Sequence, residues 1–496
     1  MAIYAATYGV LALIARAKFW CSSWIDGHPY MLEGASYIRL IRARTVIEDN
    51  VLFQRFHGFE NFPEGITTHL TALPDWCIAG FAKLLSLWIE SNSIEWAGWL
   101  IPPLLGALSV ICLFYLVSML SIGFGKHLFL TTYSLSPALV WSSALGHPSK
   151  WMLVVPLIAF AFVSEALRWR QPNASWKLHL LSGCSWGLLL WLSLWQSMLL
   201  LIALLMFNLA FRNREHWIMP LVAVGLGSFF WMLERFPTHG GMLVSSPEAA
   251  RWMESLTSVQ PPSWLWWISV GFGFPLMITY FLMHRPKDIR VDTGVWIGLT
   301  ASCLLLANWQ LRWLPHFILL SSLLCALAWP SLSSHWRRAV LVGQILPIIV
   351  LNLLHLPLPF SPIPAQEIRQ LASKIDRPGG IVASWELCPH LSFFSRQPTV
   401  AGISPQALPG ILDSAKIFNA DTLESIQPLL KGRSVQWIVI GDTGRLKNRV
   451  NSLLGTEESN QPKWIDALSD DLATTDIVTL KGVSHDFRLF SVAEPE

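Results

Sequence analysis

The chain has 496 residues, of which 53% are hydrophobic and only 14% charged, against about 25% charged in an average soluble domain. Its net charge is +3 and its mean hydropathy +0.45. These values exclude a soluble globular enzyme and a disordered chain, and the charge is too small to imply a polyanionic partner such as nucleic acid.

A bilayer core of about 30 Å takes about 20 apolar residues as helix. Windows of that kind lie at 2–20, 99–121, 127–145, 151–168, 178–194, 195–211, 217–234, 263–283, 293–310, 313–330 and 337–357. They predict an α-helical polytopic membrane protein with about 11 transmembrane helices. The first window is interrupted by Arg16 and Lys18. It shows no basic leader and no small-residue cleavage site, so it reads as an uncleaved helix rather than a signal peptide.

The Lys and Arg residues of short loops set the orientation. With the N-terminus inside, Lys126, Arg168, Arg170, Lys177, Arg212, Arg214, Arg285, Lys287, Arg290, Arg337 and Arg338 fall in cytoplasmic loops. Lys150, Arg235, Arg251 and Arg312 fall outside, as do Arg16 and Lys18 at the outer end of the first window. This excess predicts that the long first loop 21–98, the loop 234–262 and the C-terminal part of the chain are extracytoplasmic.

Within the first outer loop, Asp26 follows the first span closely, in Trp24-Ile25-Asp26-Gly27-His28-Pro29-Tyr30. A carboxylate at the interface can ligate a hard cation, orient an acceptor or take a proton. The plainer alternative is a cap on the helix predicted over 30–47. Farther on, Phe62-Pro63-Glu64-Gly65 predicts a turn. The second outer loop reads Gly146-His147-Pro148-Ser149-Lys150-Trp151 and contains no carboxylate. His147 is a candidate single metal ligand, and Lys150 a fixed positive charge; both also fit ordinary interfacial loop residues. In the loop 234–262 the acids are Glu248 and Glu254. Arg312, in Gln310-Leu311-Arg312-Trp313, is placed at the outer end of a span, where a guanidinium suits bidentate phosphate binding. Snorkelling to the interface is its alternative.

The run LPLPFSPIP at 356–364 cannot continue a helix and reads as a linker. It divides a transmembrane domain, 1–360, from a soluble extracytoplasmic α/β domain, 361–496. Strands are predicted at 379–385, 436–442 and 487–492, with helices near 405–418 and 421–431. Most of the seven Cys sit in apolar spans, where a free thiol behaves as a small hydrophobe. Cys21 and Cys77 share the first outer loop, which leaves a disulfide between them open.

This order of motifs resembles the GT-C superfamily of polytopic glycosyltransferases, which use polyprenyl-phosphate-linked sugars. Within it the chain looks most like the catalytic subunit of oligosaccharyltransferases. Asp26-Gly27-His28-Pro29-Tyr30 with Glu33-Gly34-Ala35 resembles the family's first-loop segment, and 62–65 its FPEG-type turn. The resemblance implies that Asp26 orients or deprotonates the acceptor or binds a metal. It implies that Arg312 holds the donor phosphate and that Glu254 helps hold metal and acceptor. Trp385-Glu386 stands where the family has a WWD-type acceptor motif, and 395–400 resembles its continuation. The family's paired acids are absent at 146–152, where Lys150 stands, so binding of Mg²⁺ or Mn²⁺ through Asp26, His147 and Glu254 is expected to be weak.

The resulting expectation is an inverting membrane glycosyltransferase of a prokaryotic cytoplasmic membrane. It would move a sugar from a polyprenyl-phosphate or diphosphate donor to a protein, lipid or glycan acceptor outside. A non-catalytic scaffold or lipid-glycan-binding protein of the same fold is the alternative. A transporter or flippase is less well supported, because charges within the spans are few.

Overall fold

The structure, a computed structural model, describes residues 1–68, 70–89, 91–170, 175–210, 218–235, 247–254, 263–284, 291–353, 364–456, 464–467, 477–484 and 486–493. Nearly all of the predicted linker, and the orientation markers Arg212, Arg214, Arg285, Lys287 and Arg290, lie outside the described residues. The chain is mostly helical and divides into two units. The first is made of Met1–Cys21, Trp99–Leu233 and Thr257–Phe360. The second is made of Ser22–Gly98, Glu234–Leu256 and Ser361–Glu496.

Each window predicted as a span contains helix. Among the described residues, Ser93–Ser118, Trp151–Arg170, Leu311–Ser331 and Ser334–Leu353 are long and apolar enough to cross a membrane, and shorter apolar helices accompany them. The chain is an integral membrane protein. Two windows are broken rather than continuous. In 127–145 the helix Gly125–Leu135 stops and Pro137–Trp141 begins. Pro137 forces Ser136 out of the helical region, to φ −58° and ψ 122°. The carbonyls freed by the break find donors: Arg16 Nη1 donates to Ser134 O at 3.2 Å and Asn352 Nδ2 to Leu135 O at 2.8 Å. Ser136 Oγ in turn donates to Ser269 O at 3.0 Å, beside the second break, between Trp264–Ile268 and Gly273–His284. There Gln344 Nε2 donates to Val270 O at 2.7 Å. Non-helical backbone is tolerated inside a membrane domain only with such partners.

Buried charge is present in this unit. Arg16 is fully buried, and the buried pair Arg168–Glu165 closes at 2.6 Å with Ser182 Oγ also donating to Glu165. The hydroxyl and the guanidinium together satisfy the carboxylate oxygen that burial would otherwise leave costly.

The second unit contains a four-stranded sheet of order β5-β6-β8-β7, with β5 Gly380–Val382, β6 Val435–Ile440, β7 Val478–Ser484 and β8 Phe487–Val492. β5 and β6 are parallel; β6–β8 and β8–β7 are antiparallel. Central β6, Val-Gln-Trp-Ile-Val-Ile, is almost wholly buried, as a strand covered on both faces requires. Edge strand β7 alternates and carries Lys481, which protects an open edge. Four short strands precede this sheet: β1 Trp24–Ile25 with β2 His28–Pro29, and β3 Phe56–His57 with β4 Ile66–Thr67.

Buried ion pairs brace the stretch 22–98 internally, and hydrogen bonds and a further ion pair tie it to the rest of this unit. Asp75 accepts from Arg39 Nη1 at 2.9 Å and from Arg42 Nε at 2.5 Å. Glu60 accepts from Ser404 Oγ at 2.7 Å and from the Ile403 amide at 3.0 Å. Glu64, in the predicted turn at 62–65, pairs with Arg433, which also holds Asp413 at 2.7 Å. Helix Thr443–Leu454 is capped by Asp442, whose Oδ1 accepts from the Arg445 amide at 3.0 Å. Asp442→Ala should destabilise the unit by about 1 kcal/mol, while Asp442→Asn should not, because Asn caps as well. Thermal unfolding of the full-length protein in detergent reads this difference.

Candidate functional site

Cations collect in the first unit at the N-terminal ends of two long helices. Trp151–Arg170 starts with the Trp151 amide donating to Ser149 Oγ at 3.3 Å, and Lys150 immediately precedes it. The Lys150 ammonium lies over the Trp151 ring, 5.6 Å from its centroid. Leu314–Ala328 starts one residue after the 3₁₀ turn Leu311–Trp313 that carries Arg312. His316 links the two ends: its ring lies 5.1 Å from Trp313 and 6.3 Å from Trp151. Gln196, at the junction of Trp176–Leu192 and Leu194–Ala210, donates from Nε2 to Arg312 O at 3.3 Å. Arg312 is exposed, and its guanidinium has no partner among the described residues.

Each helix N-terminus adds roughly half a positive charge to the side chain beside it. Two such ends with Lys150 and Arg312 make a region suited to an anion. His147 is buried and stacks on Trp141 at 4.6 Å. Its loop is pinned by the Gly146 amide donating to Trp99 O and the Leu145 amide donating to Arg16 O, both at 3.1 Å.

Asp26 belongs to the second unit. It does not cap a helix: the helix predicted over 30–47 runs Gly34–Glu48, with Glu33 at its N-cap. Asp26-Gly27 is the two-residue turn between β1 and β2, with φ 49° and 78°. Positive φ at both positions is the type I′ hairpin geometry that favours Asn or Asp followed by Gly. The turn holds the Asp26 carboxylate exposed, and Gln366 Nε2 donates to its Oδ2. Gln366 lies in the first turn of helix Ala365–Ala372, whose Arg369 reaches Glu95 at 3.2 Å. Tyr30 stands among these groups, and burial raises its phenol pKa, with Arg369 opposing. Burial likewise raises Tyr37, whose hydroxyl accepts from the Met31 amide at 3.2 Å.

Trp385 and Glu386 follow β5 in the same unit. Trp385 is buried at the wall of a cleft, and the Glu386 carboxylate pairs with Arg449. Glu248 lies 3.5 Å from Arg251 in helix Pro247–Glu254, and the side chain of Glu254 lies outside the described residues. Among the described residues, no group of three or more His, Cys, Asp or Glu side chains is placed to hold a metal ion. Asp26 and His147 belong to different units. Cys21 and Cys77 are free thiols.

Sequence reasoning missed His316, Gln366 and Arg449. His316 had a signal, since it stands four residues after Arg312 on a helix; the other two are brought to their partners by tertiary folding alone.

No family model matches the chain, and no curated protein does. Solved structures match it well. The oligosaccharyltransferase of Archaeoglobus fulgidus in its apo form has a TM-score of 0.63 at 13% identity, covering 88% of this chain and 69% of that one. The same enzyme in complex with Zn and sulfate has a TM-score of 0.65 at 15% identity, covering 92% and 70%. ArnT from Cupriavidus metallidurans, bound to undecaprenyl phosphate, has a TM-score of 0.58 at 12% identity over 100% of this chain and 99% of that one. The fold of this chain is therefore that of the GT-C glycosyltransferases.

Proposed function

We propose that this chain is an inverting membrane glycosyltransferase. It moves a sugar or oligosaccharide from a polyprenyl-phosphate or diphosphate donor to an acceptor on the extracytoplasmic face. The observation that carries the proposal is the cationic region of Lys150 and Arg312 at two helix N-termini, in a fold shared with a structure that holds undecaprenyl phosphate.

In the proposed reaction the Asp26 carboxylate takes the proton of the acceptor's nucleophilic group. The freed nucleophile attacks the anomeric carbon, and the bond from that carbon to the carrier phosphate oxygen breaks. The electron pair leaves with the phosphate, and Arg312 and Lys150 stabilise the negative charge that grows there. Buried against Trp141, His147 steadies the loop that carries Lys150. Gln366 aims Asp26, and the acceptor faces the Trp385–Glu386 segment. No step is routed through a metal ion.

Comparing surface glycans and glycoproteins by mass spectrometry, with and without the gene, tests the reading. A glycan should be lost or truncated with the gene absent. Unchanged glycans would favour a non-catalytic lipid-glycan-binding protein of the same fold.

Orientation is a separate expectation. Reporter fusions after Arg214 and Arg338 should report cytoplasm, and a fusion after Pro364 should report the outside. A cytoplasmic signal after Pro364 would put the proposed acceptor segment on the wrong face.

A further inference from the structure

The second unit contains a cleft of about 350 Å³ with an unbalanced charge. Helix Thr443–Leu454 buries Leu446, Val450 and Leu453. Its polar residues Arg445, Asn448, Arg449 and Ser452 follow a spacing of three, four and seven, so they share one face, and all four line the cleft. Arg251, from helix Pro247–Glu254, adds a third guanidinium, and Trp385 contributes apolar surface.

The Arg251 guanidinium packs against Gly455, the left-handed residue that ends helix Thr443–Leu454.

Against three guanidinium groups the lining offers, among the described residues, one carboxylate, Glu386, which pairs with Arg449. Arg251 meets Glu248 only at 3.5 Å, and its Nε has no acceptor among the described residues. Arg445 is exposed, and among the described residues its side chain has no partner. Guanidinium groups gathered this closely repel one another, and their planar forks match the oxygens of a phosphate or carboxylate. Asn448 and Ser452 can donate to and accept from hydroxyl groups. The volume is at the small end of ligand pockets, suited to one or two sugar units.

We infer that this cleft binds an anionic sugar, carrying a phosphate or a carboxylate, as part of the acceptor, and that Glu386 competes with that oxyanion for Arg449. The inference rests on the proposal that the acceptor faces Trp385 and Glu386, and it names the acceptor's chemistry.

Calorimetric titration of the full-length protein in detergent tests it, with trigalacturonate, mannose 6-phosphate, maltotriose and a hexaglutamate peptide as probes. At least one anionic sugar should bind about tenfold more tightly than maltotriose, and more weakly as salt is raised. Arg445→Gln should weaken that binding about fivefold without changing the thermal midpoint, because the side chain is exposed. Glu386→Gln should strengthen it severalfold by removing the competing carboxylate. Equal binding of maltotriose would overturn the inference. So would tighter binding of hexaglutamate than of either anionic sugar, or no response to Arg445→Gln and Glu386→Gln. Transfer activity is a separate readout. Anion binding through these arginines without any transfer would overturn the proposed reaction alone. Transfer without anion binding would overturn this inference alone.

Discussion

Asp26→Asn should lower sugar transfer by about two orders of magnitude or more, roughly 3 kcal/mol of barrier, with the amount of folded protein in the membrane unchanged. The structure makes this substitution unusually clean. Asp26 occupies the first central position of a type I′ turn, at φ 49°. Asn is favoured at that position, so the hairpin between β1 and β2 is kept. The neighbouring amide of Gln366 can turn to face an Asn side chain as well as an Asp. What changes is the negative charge and the ability to take a proton. Asp26→Ala would be a poorer test, because Ala resists positive φ and would strain the turn as well. A fully active Asp26→Asn protein would leave Asp26 as a turn residue with no part in the chemistry.

Lys150→Ala should reduce turnover by about 30-fold or more, near 2 kcal/mol, while transfer continues in the presence of EDTA. Lys150 precedes a helix of twenty residues and lies over the ring of Trp151, which in turn packs 6.3 Å from His316. A cation at a helix N-terminus is unfavourable by itself, by a few tenths of a kcal/mol or more. An anion that develops charge during the reaction turns that cost into stabilisation of the transition state. The same charge repels a divalent ion, by about 4 kcal/mol for each unit of the ion's charge at about 4 Å and an effective dielectric of about 20. Lys150→Arg should retain more activity than Lys150→Ala, because it keeps the charge. Loss of transfer on chelation, restored by Mn²⁺ or Mg²⁺, would overturn the metal-independent scheme and make Glu248 and Glu254 the first acids to test.

The apolar helices were legible in the sequence because each is a long apolar block, and that signal needs no tertiary information. The breaks were less legible. Pro137 reads as a residue that a helix can accept in its first turn, yet it also excludes Ser136 from the helix before it. The windows at 127–145 and 263–283 therefore read as continuous. Strands β5, β6 and β8 announce themselves as apolar runs, whereas β7, Val-Thr-Leu-Lys-Gly-Val-Ser, is an edge strand diluted by Lys481 and Gly482.

The Asp26-Gly27 dipeptide carried a turn signal, but strands of two residues on either side give too little alternation to show a hairpin. Spacing could not reveal that Asp75 pairs with both Arg39 and Arg42, or that Glu386 pairs with Arg449. Those contacts join residues 33 to 63 positions apart, and only the folded chain brings them together.

Transfer itself is measured most directly with the full-length protein reconstituted in lipid vesicles. It would be given a polyprenyl-phosphate donor carrying a radiolabelled sugar, and cell-envelope glycan as acceptor. The label should leave the lipid-extractable fraction and enter the acceptor, with free polyprenyl phosphate released in equal amount. Asp26→Asn protein should leave the donor intact. A donor that stays intact with the wild-type protein, or is consumed equally fast by Asp26→Asn, would contradict the assignment of this chain as a glycosyltransferase that works through Asp26.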